Sequence, residues 1–373
     1  MKITCYTTAL RTAVDNVKKA AAVKTEIEAM RCVNINAKFD TADLTCCDLQ
    51  TAIRQTVAVT VQEAGSVCLN AKMLYEILRK LTGETVTVEQ GVGDKVTIRS
   101  GRCKHTMIGI SPEMFPEWPQ VDKAVSVPAV NAADFAAAVR SVAFSVSTSP
   151  VKPLYTGIHL DVTDGLLHFA ATDTFRMGVT QIEVLRGIEP VSCTVPAKSL
   201  TEAAKLISDE ETVTLRFGER HLLIESDTCT VLSFLLDGQY LDYNAATPKT
   251  HTTLLHVNAS EIADCIDRVS VWSNETIKAP LDLKVSATET ECSMSTSIGA
   301  SSDSVQTTAE GDDSLHIRFN GSFLSEALRA IGNQPTCIGM QGHSRPAKLW
   351  GKETPDTYYI VLPVRMRETE ATV

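Results

Sequence analysis

The sequence predicts an α+β protein made of three copies of one unit, each with two helices packed on sheet. Three observations carry this reading. An amphipathic pattern, apolar at i, i+3, i+4 and i+7, recurs as Leu10-Ala13-Val14-Val17, Phe135-Ala138-Val139-Val142 and Ile262-Cys265-Ile266-Val269. A second pattern recurs in step as Leu74-Ile77-Leu78-Leu81, Leu200-Ala203-Ala204-Ile207 and Leu324-Ala327-Leu328-Ile331, its leading leucines 126 and 124 residues apart. After each second helix comes a β-rich stretch: ETVTVEQGVGDKVTIRS, ETVTLRFGERHLLIES, and PTCIGMQGHSRPAKLW followed by TYYIVLPVRM.

The elements follow in order within each copy. The openings VNAADF and VNASEI place Asn131 and Asn258 where an amide oxygen can cap free helix N–H groups. LNAKM, VPAKS and FNGSF introduce the second helices. Between the helices, stretches such as CVNINAKFDTADLTCCD and GIHLDVTDGLLHFAATD read as further strands. Val86 and Val88, then Val96 and Ile98, alternate around Gly91-Val92-Gly93-Asp94 as in a hairpin. With no helix following, Gly91-Val92-Gly93 is a turn rather than a phosphate loop. The Pro-rich FPEWP and Thr247-Pro248 precede the breaks, giving units 1–123, 124–250 and 251–373.

A chain of 373 residues with 44% hydrophobic content and only 19 Gly and 14 Pro can bury two or three cores. No apolar run approaches the roughly 18 residues of a membrane span, and MKITCYTTALRTAVDNV lacks a signal-peptide core, so a soluble cytoplasmic protein is expected. Eleven cysteines without a Cys-x-x-Cys pair read as reduced thiols, and adjacent Cys46 and Cys47 point to opposite strand faces, so no metal is expected. His251 and His256 lack ligand spacing, and Asp312-Asp313 reads as a solvated loop. No nucleophile or acid–base pair stands at motif spacing, so no enzyme and no cofactor is expected. The net charge is −10, divided +2, −6 and −6 over the three units. Yet Lys18, Lys19, Lys72, Arg79, Lys80, Arg140, Lys198, Lys205, Arg268 and Arg329 recur in the repeated helices, off the apolar stripes. Lys and Arg suit any exposed helix face, and their recurrence in all three units leaves a functional positive stripe as the other reading.

Several segments carry a family resemblance: RSVAFSVS (140–147), PLYTGIHLDV (153–162), HFAATDTFRMGV (168–179), TVPAKSLTEAAKLI (194–207), SFLLDGQYLDY (233–243) and YYIVLPVRM (358–366). In this order and on a threefold repeat, the chain resembles the bacterial β sliding clamps, the processivity subunits of DNA polymerase III, over essentially its full length. The resemblance implies three domains of the DNA-clamp fold in a head-to-tail ring-shaped homodimer, with helices lining a hole for duplex DNA and sheets outside. Lys24, Lys152 and Tyr155 then join the helix cations as DNA contacts. It implies a peptide pocket built from Leu154, Tyr155, Thr172, Thr174, Phe175, Arg176, Met177, Leu241, Ala245, Ala246, Ile360, Leu362, Pro363, Val364, Arg365 and Met366. Arg176 and Arg365 are expected to be available for polar contacts. The implied partners are the polymerase III alpha subunit, the clamp-loader delta subunit, other polymerases and mismatch-repair proteins. His105 and Met107 would meet Val271 and an exposed Trp272 at the dimer interface. The chain departs from the family at Thr174-Phe175, where Gly-His or Gly-Tyr is usual, at Leu241, where Pro is usual, and at Ala245-Ala246. It also runs past Met366 as RETEATV (367–373).

Overall fold

The computed structural model describes residues 1–121, 124–207, 211–273 and 279–365, so Met366, the 367–373 extension and the first unit boundary lie outside the described residues. The helices are α1 (Thr7–Val17), α2 (Ala71–Lys80), α3 (Ala132–Val142), α4 (Ala197–Leu206), the single turn α5 (Tyr243–Ala246), α6 (Ala259–Val269) and α7 (Gly321–Ile331). The expected stripes are the buried faces: Leu10, Ala13, Val14 and Val17 on α1, and Ile262, Cys265, Ile266 and Val269 on α6. Asn258 Oδ1 accepts from Ser260 N at 2.9 Å and Asn131 Oδ1 from Asp134 N at 2.9 Å. Asn70 and Asn320 cap α2 and α7 in the same way, at 3.0 and 3.1 Å. Among the described residues no helix is long and apolar enough to cross a membrane.

By compactness the chain forms two units, residues 1–136 with 184–235, and residues 137–183 with 236–373, so the second sequence repeat is divided between them. Unit 1 holds a five-stranded sheet ordered Thr60–Glu63, Lys2–Tyr6, Thr85–Gln90, Lys95–Ser100, Cys103–Ile108. The expected hairpin about Gly91 is there, with Val88 opposite Ile98. Its eight-stranded sheet joins two repeats. Thr51–Ala58, from the first repeat, pairs with Cys229–Phe234, from the second, with Ile53 opposite Val231.

Unit 2 repeats that junction. Arg176–Glu183, from the second repeat, pairs with Tyr358–Val361, from the third, with Met177 opposite Ile360. The same sheet continues through Ala347–Gly351, Pro335–Met340 and Thr253–Asn258 to Thr308–Gly311. α6 and α7 pack against it and against a four-stranded sheet ordered Gly299–Gln306, Glu289–Thr296, Leu281–Val285, His316–Phe319. Their shared core includes Ile262, Ile266, Leu324, Leu328, Phe319, Ile338 and Tyr359, the last donating its hydroxyl to Ser141 O at 3.1 Å. Because the Asn258 cap satisfies an otherwise orphaned amide of α6, Asn258→Ala should lower unfolding free energy by about 1 kcal/mol in urea titrations, and Asn258→Asp by much less.

Candidate peptide-binding and ring-closing surfaces

The pocket residues converge in unit 2 around an aromatic platform. Ala170, Met177, Val179, Tyr240, Tyr243 and Ile360 form a buried cluster, with Leu154, Tyr155 and Tyr358 packed at its margin. Tyr155 meets Tyr240 edge-on at 5.6 Å, and His159 stacks on Tyr240 at 4.7 Å. Burial raises the Tyr240 hydroxyl above the usual tyrosine range, and burial followed by nearby Asp161 does so for Tyr243, which donates to Asp161 Oδ2 at 3.2 Å. Phe175, Leu241, Leu362 and Val364 stay in water, 61%, 42%, 41% and 39% exposed. Exposed apolar side chains grouped in one region mark a binding surface. Ala245 and Ala246 are exposed on α5, and Pro363 forms a bridge with Phe319.

Two cavities share Phe323 as a wall. One, of ≈ 530 Å³, is lined by Val151, Tyr155, Thr174, Phe175 and Arg176 among others. The other, of ≈ 580 Å³, is lined by Asn320, Met294, Ala279 and Val364 among others. The sequence reading missed Phe323, which carries no charge or motif signature, and Tyr240, which lies within the SFLLDGQYLDY segment but was not singled out. Three expected lining residues serve differently: Met177 and Ile360 belong to the buried platform, and Thr172 is buried where its hydroxyl holds the 172–176 turn.

Arg176 corrects the expectation of an available guanidinium. It pairs with Asp173 at 3.1 Å and with Glu326, and lies 4.5 Å from the Phe323 ring and 5.3 Å from Phe144. It is a strut that fixes the loop. That loop is an Asx turn: Asp173 Oδ1 accepts from Phe175 N at 2.8 Å and Arg176 N at 3.0 Å. Thr172 Oγ1 accepts from Thr174 N at 3.0 Å and donates to Arg176 O at 2.6 Å. Thr174 has φ 77, where a Cβ is unfavourable, and it stands at the position that is usually Gly in the family it resembles. Arg365 is exposed.

The expected dimer residues lie on two strands that are unlike their counterparts. Cys103–Ile108 and Cys229–Phe234 are the last strands of the first two repeats, yet every residue of the former is exposed or half-exposed while the latter is mostly buried. Gly299–Gln306 is the third strand after the first helix of its repeat, as are Thr51–Ala58 and Arg176–Glu183, and it too is far more exposed than they are. Both are sheet edges. His105 and Met107 are half-exposed and Val271 is 75% exposed. Trp272 is a correction: its indole N–H donates to Ser301 Oγ at 2.6 Å, and a Cβ on Gly299 would lie 2.6 Å from its ring. It buttresses its own edge strand instead of standing exposed. Ile108, at the end of the first edge strand and 67% exposed, and Ile298, in the turn before the second and 62% exposed, are apolar residues that the sequence reading missed.

The basic residues divide into two groups, which corrects the picture of a uniform free stripe. Arg79 pairs with Glu76, Lys205 with Glu202, Lys198 with Asp48, Arg268 with Asp303, and Arg329 with Asp264 and Asp267. Arg268 holds the Asp303 carboxyl below the usual carboxylate range. Lys18 follows α1 in a one-turn helix, pairs with Asp15 and lies 3.8 Å from the Tyr75 ring. Lys152 lies 5.7 Å from the Tyr155 ring. Lys19, Lys24, Lys72, Lys80 and Arg140 stand outside these ion pairs, all exposed except half-exposed Lys19.

A threefold-repeated clamp architecture with an apolar groove beside one inter-repeat strand junction is the class these features define. Three profiles of the DNA polymerase III beta subunit match in succession: the N-terminal domain over residues 1–119, the central domain over 129–242 and the C-terminal domain over 244–365. The chain belongs to that family, the bacterial β sliding clamps, whose members are processivity factors rather than enzymes. It is 27% identical to the beta sliding clamp of Staphylococcus aureus, covering 95% of this chain and 96% of that one. The Bacillus subtilis sliding-clamp crystal structure superposes with a TM-score of 0.92 at 27% identity, covering 98% and 100%. The Pseudomonas aeruginosa beta subunit shares the fold, with a TM-score of 0.92 at 20% identity and coverage of 98% and 100%. Since Thr174 carries left-handed backbone strain, Thr174→Gly should raise unfolding free energy by about 1 kcal/mol in chemical denaturation.

Proposed function

We propose that the chain is a DNA sliding clamp that closes as a head-to-tail homodimer around duplex DNA and tethers the replicative polymerase in the cytoplasm. The observation that carries the ring is the missing junction. Last strands of the second and third repeats each join the third strand of the repeat before them. Among the described residues, the last strand of the first repeat, Cys103–Ile108, and the third strand of the last repeat, Gly299–Gln306, each lack that neighbour in their sheets. A second copy supplies it by pairing these edges twice, which satisfies the ladder groups and covers Ile108, Val271 and Ile298.

Within the ring, Lys19, Lys24, Lys72, Lys80 and Arg140 offer cations to DNA phosphates, and the paired cations contribute where phosphate competes for them. Such contacts read no bases and permit sliding. The groove around Leu154, Met177, Leu241, Leu362 and Val364 takes short apolar peptide segments of the polymerase alpha subunit, the clamp-loader delta subunit, other polymerases and mismatch-repair proteins. Thr172, Thr174, Phe175, Ala245, Ala246, Ile360, Pro363 and Arg365 shape its floor and rim.

Fluorescence polarisation with a labelled Gln-Leu-x-Leu-Phe peptide tests the groove. Saturable binding is expected, weakened at least about tenfold by Leu362→Asp, which places a charge against an apolar anchor. Equal affinity in Leu362→Asp, with an unchanged melting temperature, would place the peptide elsewhere.

A further inference from the structure

Three neighbouring strands of the unit 2 sheet align a thiol, an imidazole and a carboxylate. Cys337, on Pro335–Met340, stands directly opposite His256, on Thr253–Asn258, and its Sγ lies 3.3 Å from His256 Nδ1. His256 Nε2 lies 3.0 Å from Glu310 Oε1, on Thr308–Gly311. Strand alternation puts these side chains on the face opposite the helices, since Leu255, Val257 and Ile338 belong to the helix-side core. An ionised carboxylate only accepts, so Nε2 carries the hydrogen and Nδ1 presents its lone pair to the thiol. A nucleophile, a base and a group that fixes the base's tautomer are thus in hydrogen-bond order.

The surroundings decide which chemistry this triad can do. Burial pushes the Cys337 thiol up, Lys352 opposes that and Glu310 adds to it, so the resting group is a thiol whose proton His256 must take. Acyl transfer further needs N–H donors aimed at a developing oxyanion. Cys337 lies mid-strand between paired strands on both sides, where backbone N–H groups are committed to the ladder. Thiol–disulfide exchange develops its charge on the departing sulfur and needs no such donors. At 5% exposure, Cys337 admits only a small reagent.

We infer that Cys337, His256 and Glu310 form a modification site that takes low-molecular-weight disulfides, with Cys337 as nucleophile, His256 as base and Glu310 as positioning residue. The Cys337 sulfur attacks one sulfur of RSSR as its proton passes to His256 Nδ1. The S–S bond of the reagent breaks, a Cys337–S–S–R bond forms, and the proton leaves on the released RSH. Cys337 is oxidised and the departing sulfur is reduced.

The test treats the full-length native protein with 2-hydroxyethyl disulfide and follows each cysteine by peptide mass spectrometry over a pH series. Cys337 should be modified well ahead of Cys46 and Cys292, which are buried without a histidine partner in this arrangement. His256→Gln should slow Cys337 by about a hundredfold, the low end of what a positioned base contributes, and abolish the imidazole limb of its rate–pH profile. Glu310→Gln should shift that limb with a smaller loss of rate. The melting temperature is the control for folding and should be unchanged in both variants. Cys337 reacting only after denaturant, or equally fast in His256→Gln at an unchanged melting temperature, would overturn the assignment.

Discussion

A β-strand at a sheet edge exposes a row of unpaired N–H and C=O groups, and the way this chain disposes of its edges governs the rest of its architecture. Two of the repeat-to-repeat joins are made inside the chain, Thr51–Ala58 with Cys229–Phe234 and Arg176–Glu183 with Tyr358–Val361. Among the described residues the equivalent third join has no partner within either unit's sheets, and both strands concerned are far more exposed than their counterparts, with Ile108 on the first and Ile298 in the turn before the second open to solvent. On the ring reading this incompleteness is the assembly instruction. Hydrogen-bond groups and apolar side chains left unsatisfied at each end specify a head-to-tail contact, which closes with two copies.

The same junction geometry gives the proposed peptide groove its place. Where Arg176–Glu183 meets Tyr358–Val361, the 172–176 turn and the 362–365 segment leave the sheet together, and Leu362 N donates to Phe175 O at 2.9 Å. The turn is held by Asp173, Thr172 and the Arg176 strut, so the groove's wall is fixed by polar contacts beneath while its rim keeps apolar side chains in water. Tyr240 and Tyr243 contribute from a separate segment and complete the floor. A rigid, partly dry surface of this kind binds short peptides without paying for much reordering.

Much of the fold was legible because a helix stripe is a local pattern that a threefold repeat states three times. The α1 and α6 faces, the Asn131 and Asn258 caps and the hairpin at Gly91 all follow from neighbouring residues. What was not legible depended on contacts distant in sequence. Arg176 reads as a free cation until Glu326, 150 residues on, is seen to pair with it. Trp272 reads as exposed until Ser301 and Gly299 are placed against it. Several helix cations read as a free stripe because the acids that neutralise them, such as Asp48 for Lys198 and Asp303 for Arg268, come from other elements. Cys337, His256 and Glu310 carry no motif at all, since strand pairing alone brings them together.

Hydrogen exchange of the full chain at two concentrations tests the missing-junction account most directly. At the higher concentration, backbone amides of Cys103–Ile108 and Gly299–Gln306 should be protected beyond what single-sided pairing provides, and dilution should release both strands together. If both strands exchange at every concentration as freely as the edge strand Thr60–Glu63, the two edges do not pair and the ring is not closed through them.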